Sequence, residues 1–144
     1  MRTSLLAIVI VLGSQGSLGS LGAQGSEQQL HSTVFPWTAD ANANAWGAVR
    51  QVVREKTPTL RELEIHISTL KPGLTPHEPH RHQHEELIIV KEGTLEAFQD
   101  GRTHRVEAGG IIFQASNELH NVRNIGSSPA TYFVVAWTSP DAGK

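Results

Sequence analysis

From Trp46 onward, this chain consists of short segments in which apolar and polar residues alternate, and turn residues separate the segments. In residues 63–68, for example, Leu63, Ile65 and Ile67 alternate with polar residues. A period of two is that of a β-strand with one buried face, here the apolar one. No segment of useful length has the 3.6-residue period of a helix. The pattern therefore restricts the chain to an all-β fold, either a sandwich or a barrel.

Turn residues divide residues 46–140 into a series of short strands that form a single domain. The clearest turn is Asp100-Gly101, because these residue types readily take the positive φ angles of a type I′ hairpin. We expect strands at 49–54, 63–68, 87–90, 94–98, 103–106, 111–113, 122–125 and 131–137. We expect Ile88, Ile112 and Val134 to lie in the core of this domain.

The first 23 residues have the pattern of a secretory signal peptide. Arg2 supplies a positive charge, residues 5–12 are uninterrupted apolar sequence, and Ala23 ends a stretch of small residues. The apolar run is shorter than the roughly 17–25 residues that a transmembrane helix needs. We therefore expect cleavage after Ala23, export to the periplasm or the medium, and no membrane partner for the mature chain.

Residues 24–45 are polar and rich in small side chains, and Pro36 interrupts any regular element there. We expect an N-terminal tail that lays Phe35 and Trp37 on the surface of the domain. The barrel domain, residues 46–140, follows this tail.

Charge and cysteine content exclude several classes of function. The chain has 12 basic and 14 acidic residues, which gives a net charge of −2 with neutral histidine. The basic residues form no stripe or cluster, so nucleic acid is not an expected partner. The chain has no cysteine, so disulfides do not stabilise it and thiol catalysis is excluded.

Residues 80–86 carry three histidines and two glutamates. Imidazole and carboxylate together suit Mn, Fe, Ni, Cu or Zn. Side chains two residues apart in a strand project to the same face, so we expect His80 and His82 to converge on one ion. If the strand continued, the same face would also include His84 and Glu86. A turn at Gln83-His84 would instead change which of the following side chains point to that face. The spacing therefore leaves open which of these two is a ligand.

This tract resembles the first sequence motif of the cupin superfamily, in which His-x-His is followed by three residues, Glu, six residues and Gly. His80, His82, Glu86 and Gly93 stand at this spacing. The glycine that leads the motif is displaced by one position, at Gly73. That shift lies in a loop, and the ligand spacing is intact.

A later stretch is similar to the second cupin motif, which ends in His, three residues and Asn. His120 and Asn124 match this ending, and Gly109 matches the leading glycine. Ala115 and Asn117 replace the proline and the second glycine of the motif. Asn tolerates the left-handed conformation that the glycine serves, so we expect the turn to be kept.

The resemblance covers nearly all of the β-rich part and implies a single-domain cupin-type double-stranded β-helix, that is, a jelly-roll barrel. It implies that His80, His82, Glu86 and His120 bind one divalent transition-metal ion, which would be Mn, Fe, Ni, Cu or Zn. It implies that His84 lies on a turn. It also implies pairing into a homodimer through the sheets.

We interpret the chain as an exported, metal-dependent enzyme that acts on a small organic molecule by dioxygenation, isomerisation or decarboxylation. The alternative is a non-catalytic module that binds a small molecule or the metal itself. No motif marks the residue that would transfer protons. His66 is the candidate if its side of the strand faces the barrel lumen; otherwise it is an outward-facing or merely hydrogen-bonded histidine.

Overall fold

A computed structural model describes residues 29–142, and the predicted signal peptide, residues 1–23, lies outside them. Within residues 29–142 no helix is long and apolar enough to cross a membrane. The described strands are β1 (Asn42–Ala43), β2 (Gly47–Glu55), β3 (Glu62–Leu70), β4 (Glu85–Glu92), β5 (Thr94–Gln99), β6 (Arg102–Glu107), β7 (Ile111–Gln114), β8 (His120–Asn124) and β9 (Ala130–Thr138). Each predicted strand is present, with both ends within two residues of the prediction.

The strands form two antiparallel sheets, which together make the predicted all-β barrel. The larger sheet has the order β1-β2-β3-β9-β4-β7, and the smaller has the order β6-β5-β8. The last strand, β9, lies between β3 and β4, so the larger sheet joins segments that are far apart in the chain. Two antiparallel sheets in which strands distant in the chain lie side by side are typical of a jelly roll.

The lumen changes from apolar to polar along the strands. Leu70, Val90 and Tyr132 belong to the hydrophobic core and are at most 2% exposed. The predicted core residues Ile88, Ile112 and Val134 belong to the same cluster. Further along the same strands, Glu64 and Glu86 lie on either side of Ala136 in adjacent register. One end of the barrel is therefore packed with apolar side chains, and the other end is lined with polar ones.

β3 buries its apolar face, as predicted, but on the outer side of the barrel and under the tail. Ile65 and Ile67 lie on the outer face of the larger sheet, beside Phe35 and Trp37 of the tail. His66, between them, lines the lumen. The physical reason is that the lumen is polar at this level, while the tail covers the apolar side and leaves Ile67 only 7% exposed.

The tail lies against the outer face of the larger sheet, as predicted for Trp37. The rings of Trp37 and Phe133 pack edge to face with their centroids 6.1 Å apart. Lys91 Nζ lies 4.5 Å from the centroid of the Trp37 ring. Arg50 donates a hydrogen bond of 3.1 Å to the carbonyl of Pro36. These contacts connect the tail to β2, β4 and β9.

Gly93 makes the tight turn between β4 and β5. Its φ angle is +86°, in the left-handed region that favours glycine. A Cβ atom at this position would lie 2.6 Å from Ala130, so the close approach of the two backbones also requires glycine. This turn fixes the start of β5 and hence the closure of the barrel beside the core.

Candidate metal centre

A pair of backbone hydrogen bonds joins the histidine tract to the start of β8. His80 N donates to the His120 carbonyl over 3.1 Å, and His120 N donates to the His80 carbonyl over 3.0 Å. Directly opposite residues of an antiparallel pair place their side chains on the same face. The ring centroids of the two histidines are accordingly 4.8 Å apart.

The loop before β8 holds the tract in place. Asn117 N donates to the His82 carbonyl over 2.7 Å, and Ser116 Oγ donates to the Gln83 carbonyl over 2.7 Å. Arg81 Nη1 donates to the Asn117 carbonyl over 2.6 Å. Asn117 has a φ angle of +61°, so the expected left-handed turn is kept without the glycine of the motif.

Three of the four predicted ligands form one cluster. His80, His82 and His120 each place a ring nitrogen within 4.8 Å of the others. His82 Nδ1 donates to the His84 carbonyl and His120 Nδ1 donates to the Glu118 carbonyl, each over 2.8 Å. A neutral imidazole that donates from Nδ1 keeps its lone pair on Nε2. The backbone therefore prepares Nε2 of His82 and His120 to bind a metal ion.

Two atoms in this cluster have unmet hydrogen-bonding capacity. His80 Nδ1 and His120 Nε2 are buried and have no hydrogen-bond partner within the described residues. Leaving a buried polar atom unpaired costs about 1–3 kcal/mol, so such atoms usually have a function. Since neutral imidazole is a ligand for several transition metals, the residues present fit such an ion.

Glu86 lies beside the three-histidine cluster and is not part of it. Its Oε2 atom is 3.9 Å from His82 Nε2. Glu86, His82 and His84 form a second group whose ligand atoms lie within 4.8 Å of one another. His84 lies in the bend before β4, where the resemblance placed it, but its ring stacks on His82 at a centroid distance of 3.5 Å. Both residues that the spacing left open therefore lie next to His82.

Burial favours the uncharged forms of these side chains. It lowers the pKa of His80 to about 4, with smaller contributions from the charges of His77 and His120. Burial also lowers the pKa of His120, against the hydrogen bond to the Glu118 carbonyl. Burial raises the pKa of Glu86 to about 7, and the charge of Glu64 adds to this effect. Neutral imidazole is the form that binds metals, so protons compete weakly for His80 and His120, whereas they compete more strongly for the carboxylate of Glu86.

A cavity of about 220 Å³ extends from the cluster into the lumen. His77, Glu86 and His120 line its polar end. The remaining lining residues are Trp46, Val49, His66, Ser68, Pro76, Ile88, Gln114, Asn121, Val122, Tyr132 and Val134. A small molecule in this cavity would therefore lie within reach of the histidine cluster.

His66 faces the lumen, which is the alternative that makes it a candidate for proton transfer. Its Nδ1 lies 3.2 Å from Glu64 Oε1, and Glu64 in turn pairs with Arg54. A carboxylate only accepts, so His66 Nδ1 carries the hydrogen and Nε2 keeps the lone pair. Burial lowers the pKa of His66, and the charge of Glu64 opposes this. The ring is thus held with a free basic nitrogen beside the cavity.

Three further residues of this site are not among the ligands that the two motifs imply. His77 packs against His80 with ring centroids 4.0 Å apart. Glu64 holds His66, and Gln114, which is 1% exposed, lines the cavity. His77 lies in a loop, where the spacing of residues does not predict the direction in which a side chain points. Strand pairing brings the other two residues to the site, because Glu64 lies opposite Ala136 and Gln114 lies opposite Glu86. A single sequence does not show this pairing.

Asn124, which matches the second motif, has a structural role. Its side-chain amide donates to the carbonyls of Leu70 and Ser128 over 2.9 and 2.8 Å. Its Oδ1 accepts a 2.9 Å hydrogen bond from Gly126 N. The residue satisfies the backbone of the turn that follows β8 and does not line the cavity.

Comparisons with known proteins agree with this geometry. The profile of the cupin domain family matches residues 66–136. No curated protein matches the chain. Among solved structures, the cupin domain of Cnp3 from Schizosaccharomyces pombe superposes with a TM-score of 0.57 at 13% identity, over 64% of this chain and 64% of its own.

Two bacterial structures are also similar. A Cupin 2 conserved barrel domain protein from Salinispora arenicola has a TM-score of 0.58 at 20% identity, over 75% of this chain and 90% of its own. A cupin-superfamily sugar phosphate isomerase from Silicibacter pomeroyi has a TM-score of 0.50 at 26% identity, over 54% of this chain and 52% of its own. The chain thus spans less than two thirds of the Cnp3 domain structure and about half of the isomerase.

Proposed function

Because this chain belongs to the cupin family, through a domain at residues 66–136, we propose that it is a metal-dependent enzyme acting on a small organic molecule. The observation that carries the proposal is the pair of unpartnered buried nitrogens, His80 Nδ1 and His120 Nε2, in a cluster whose member His120 lines a cavity. A ligand cluster that opens onto a cavity has room for a substrate next to the ion.

We propose that His80, His82 and His120 hold one divalent ion of Mn, Fe, Ni, Cu or Zn, with Glu86 as the fourth ligand. Glu86 Oε2 lies 3.9 Å from His82 Nε2, a spacing at which both atoms could bind the same ion. When bound, the ion supplies Lewis-acid chemistry, which polarises an oxygen of the substrate. The lowered pKa of His80 and His120 keeps these ligands neutral and available.

The chain's own residues would supply orientation and proton transfer. The apolar side chains Val49, Ile88 and Val134 exclude water from the deeper part of the cavity. His66 is the proton-transferring residue in this proposal, since Nε2 carries the free lone pair. Glu64 holds that ring through Nδ1 and stabilises it when Nε2 takes up a proton.

The same proposal includes a homodimer formed through the outer face of the larger sheet. Ile111 and Phe113 of the edge strand β7 are 63% and 48% exposed, and Phe113 stacks on Trp137. A contiguous apolar patch on a sheet is typical of a protein–protein interface. Sedimentation of wild type and Phe113→Asp should give a dimer and a monomer, respectively; a wild-type monomer at micromolar concentration would contradict this part.

Export is a separate part of the proposal and depends on residues 1–23. Expression of the full chain in a bacterial host should yield a periplasmic or secreted product whose N-terminus is Gln24. A product that keeps Met1 and stays in the cytoplasm would contradict it.

Metal analysis tests the central proposal. The protein, purified without a metal-binding tag, should contain about one equivalent of a transition metal, which His80→Ala and His120→Ala should lose. His104→Ala, a change in the exposed strand β6, is the matched control and should keep the metal. Absence of metal after reconstitution with each of the five ions would overturn the metalloenzyme proposal.

Turnover distinguishes an enzyme from a binding module. A mixture of small organic acids, enols and phenols is incubated with metal-loaded protein and followed by mass spectrometry. An enzyme should give product that is lost in His66→Ala while the metal is kept. Saturable binding without product, unaffected by His66→Ala, would instead identify a non-catalytic module.

A further inference from the structure

The size of the cavity limits the ligand. Its volume of about 220 Å³ exceeds the roughly 150 Å³ of an engineered cavity that binds benzene, and lies below the range of about 300–1,000 Å³ for drug-sized ligands. A single substituted ring, or an open chain of similar bulk, fits between these limits. A ligand much bulkier than a single substituted ring would have to extend out of the cavity.

The cavity offers a negatively charged group no partner away from the metal centre. Neither lysine nor arginine is among its lining residues, and the nearby Arg54 already pairs with Glu64. Burying an unpaired charge is strongly unfavourable. A second anionic group at the far end of a ligand would therefore prevent binding.

The polar side chains in the deeper wall already have partners. Ser68 and Tyr132 lie opposite each other in register and share a hydrogen bond. Asn121 Nδ2 donates to the His77 carbonyl over 2.8 Å, and Asn121 Oδ1 accepts from Thr75 Oγ1 over 2.7 Å. The surface left for the body of a ligand is thus provided by the apolar lining residues.

Gln114 provides an unused donor. Gln99 Nε2 donates to the Phe113 carbonyl over 2.7 Å and to Gln114 Oε1 over 2.9 Å. Because the Phe113 carbonyl can only accept, the Gln99 atom that contacts it is the nitrogen, and the Gln114 atom that this nitrogen also contacts is the oxygen. The other amide atom of Gln114, Nε2, has no hydrogen-bond partner, although the side chain is only 1% exposed. Gln114 lines the cavity and lies opposite Glu86 in register, at the polar end.

From these observations we propose that the cavity takes a ring-sized molecule with an oxygen-bearing head group and an uncharged apolar body. One head-group oxygen lies at the metal centre and another accepts a hydrogen bond from Gln114 Nε2. This inference rests on the proposed metal site, and it assigns Gln114 as a residue that determines which ligands bind.

Hydroxamates test the ligand class, because they bear two adjacent oxygens on a ring of chosen substitution. Titration calorimetry on the full Zn²⁺-loaded protein compares para-methylbenzohydroxamate, para-carboxybenzohydroxamate and a biphenyl hydroxamate. The methyl compound should bind at least about tenfold more tightly than the other two, which corresponds to about 1.4 kcal/mol. Zinc is used because it has no redox chemistry of its own.

Substitution of Gln114 tests the donor. Gln114→Glu keeps an oxygen for Gln99 but replaces the free donor with an acceptor, and should weaken the methyl compound roughly 5–20-fold. Gln114→Met, which keeps the volume and removes the donor, should weaken it to a similar extent. Zinc content and melting temperature establish that both variants are folded and loaded, and Ile111→Ala on the outer face is the control that should bind as wild type.

The outcomes separate this inference from the proposed function. If the carboxy or biphenyl compound binds as tightly as the methyl compound, the ligand class is wrong while the metal site stands. If both Gln114 variants bind as wild type, the role of Gln114 is wrong. If no hydroxamate binds better to the wild type than to His120→Ala, the metal site itself is wrong, and the inference falls with it.

Discussion

The two faces of the larger sheet differ in a way that reverses the usual expectation. On the inner face, one row across the strands reads Glu64, Ala136, Glu86 and Gln114. On the outer face, the neighbouring row reads Ile65, Val135, Leu87 and Phe113. The charged row is turned towards the lumen, and the apolar row is turned towards the tail and the surroundings.

This difference shows that the inner face of a small barrel need not be apolar along its whole length. A polar row inside is tolerated where the side chains bind a ligand or one another, as Glu64 does with Arg54 and His66. An apolar row outside is tolerated where other chain segments cover it, as Trp37 covers Phe133. Four comparisons test two explanations. The first is that the inner row is polar because it binds a ligand, and the second is that the outer row is apolar because other chain segments cover it.

The largest effect is expected for a metal ligand on the inner side. His120→Ala should weaken metal binding by more than the roughly 10–100-fold that loss of an outer-shell partner costs. Phe113→Ala on the outer face should leave metal binding unchanged. Competition with a colorimetric chelator measures both affinities. Equal metal affinity in His120→Ala and wild type would remove the functional explanation for the polar lumen.

The next effect compares two isoleucines on opposite faces. Ile88 is 2% exposed and Ile111 is 63% exposed. Ile88→Ala should destabilise the protein by about 2–5 kcal/mol, because it leaves a cavity in the core. Ile111→Ala should cost less than about 0.5 kcal/mol in the monomer. Urea unfolding at low protein concentration measures both; a large cost for Ile111→Ala there would mean that this face is buried in the monomer.

The third effect depends on pH, in protein freed of metal. The pKa of Glu86 is raised from 4.5 to about 7, so its proton is bound more tightly in the folded than in the unfolded state. Its contribution to stability is complete below pH 4.5 and is lost as the pH rises through about 7. Glutamine stays uncharged at every pH, so Glu86→Gln does not lose stability in this way. Its free energy of unfolding should exceed that of wild type by up to about 3 kcal/mol at pH 8.

The measurement for this change is urea unfolding of both metal-free proteins between pH 4.5 and 8. The advantage of Glu86→Gln should be small at the acidic end and should grow with pH. Addition of metal should reverse the order at pH 8, because the carboxylate then has a cation beside it. A difference that does not vary with pH would contradict the raised pKa.

The smallest effect concerns the tail. Trp37→Ala removes the contacts with Phe133 and Lys91 and should cost about 0.5–1.5 kcal/mol. His31→Ala, on an exposed part of the same tail, is the control and should cost nothing measurable. Differential scanning calorimetry measures both. No loss for Trp37→Ala would mean that the tail does not stabilise the barrel.

Much of the architecture follows from sequence alone, since turn residues and apolar segments mark every described strand except the short β1 to within two residues. Which face of a strand points inwards does not follow. In residues 63–68 the apolar set is as regular as the polar set, and only the partner strands decide that His66 faces the lumen. For this reason the sequence predicted a buried apolar face on this strand but left open whether His66 faces the lumen.

The histidine cluster was predictable where it is local. His80, His82 and His120 come together as expected because the loop residues Ser116 and Asn117 hold the tract by its backbone. The position of the carboxylate was less predictable. Glu86 is fixed by β4 and the histidines by loops, so their relative placement depends on hydrogen bonds that spacing does not encode. For the same reason, nothing in the sequence distinguishes Gln114 from any other amide.

The mutual pairing of His80 and His120 has a consequence for motion in the native state. The long connection between β3 and β4 is tied to β8 by backbone hydrogen bonds at two places, Gly73 and Leu74 with Asn124 and His80 with His120. Side-chain hydrogen bonds of Asn121 to Thr75 and His77 lie between these places. An ion shared by His82 and His120 would add a further tie. Chelation should then increase local opening of this connection, seen as faster amide hydrogen exchange near His82, while β9 exchanges as before. Metal availability would thus set how much more often this connection opens than β9 does.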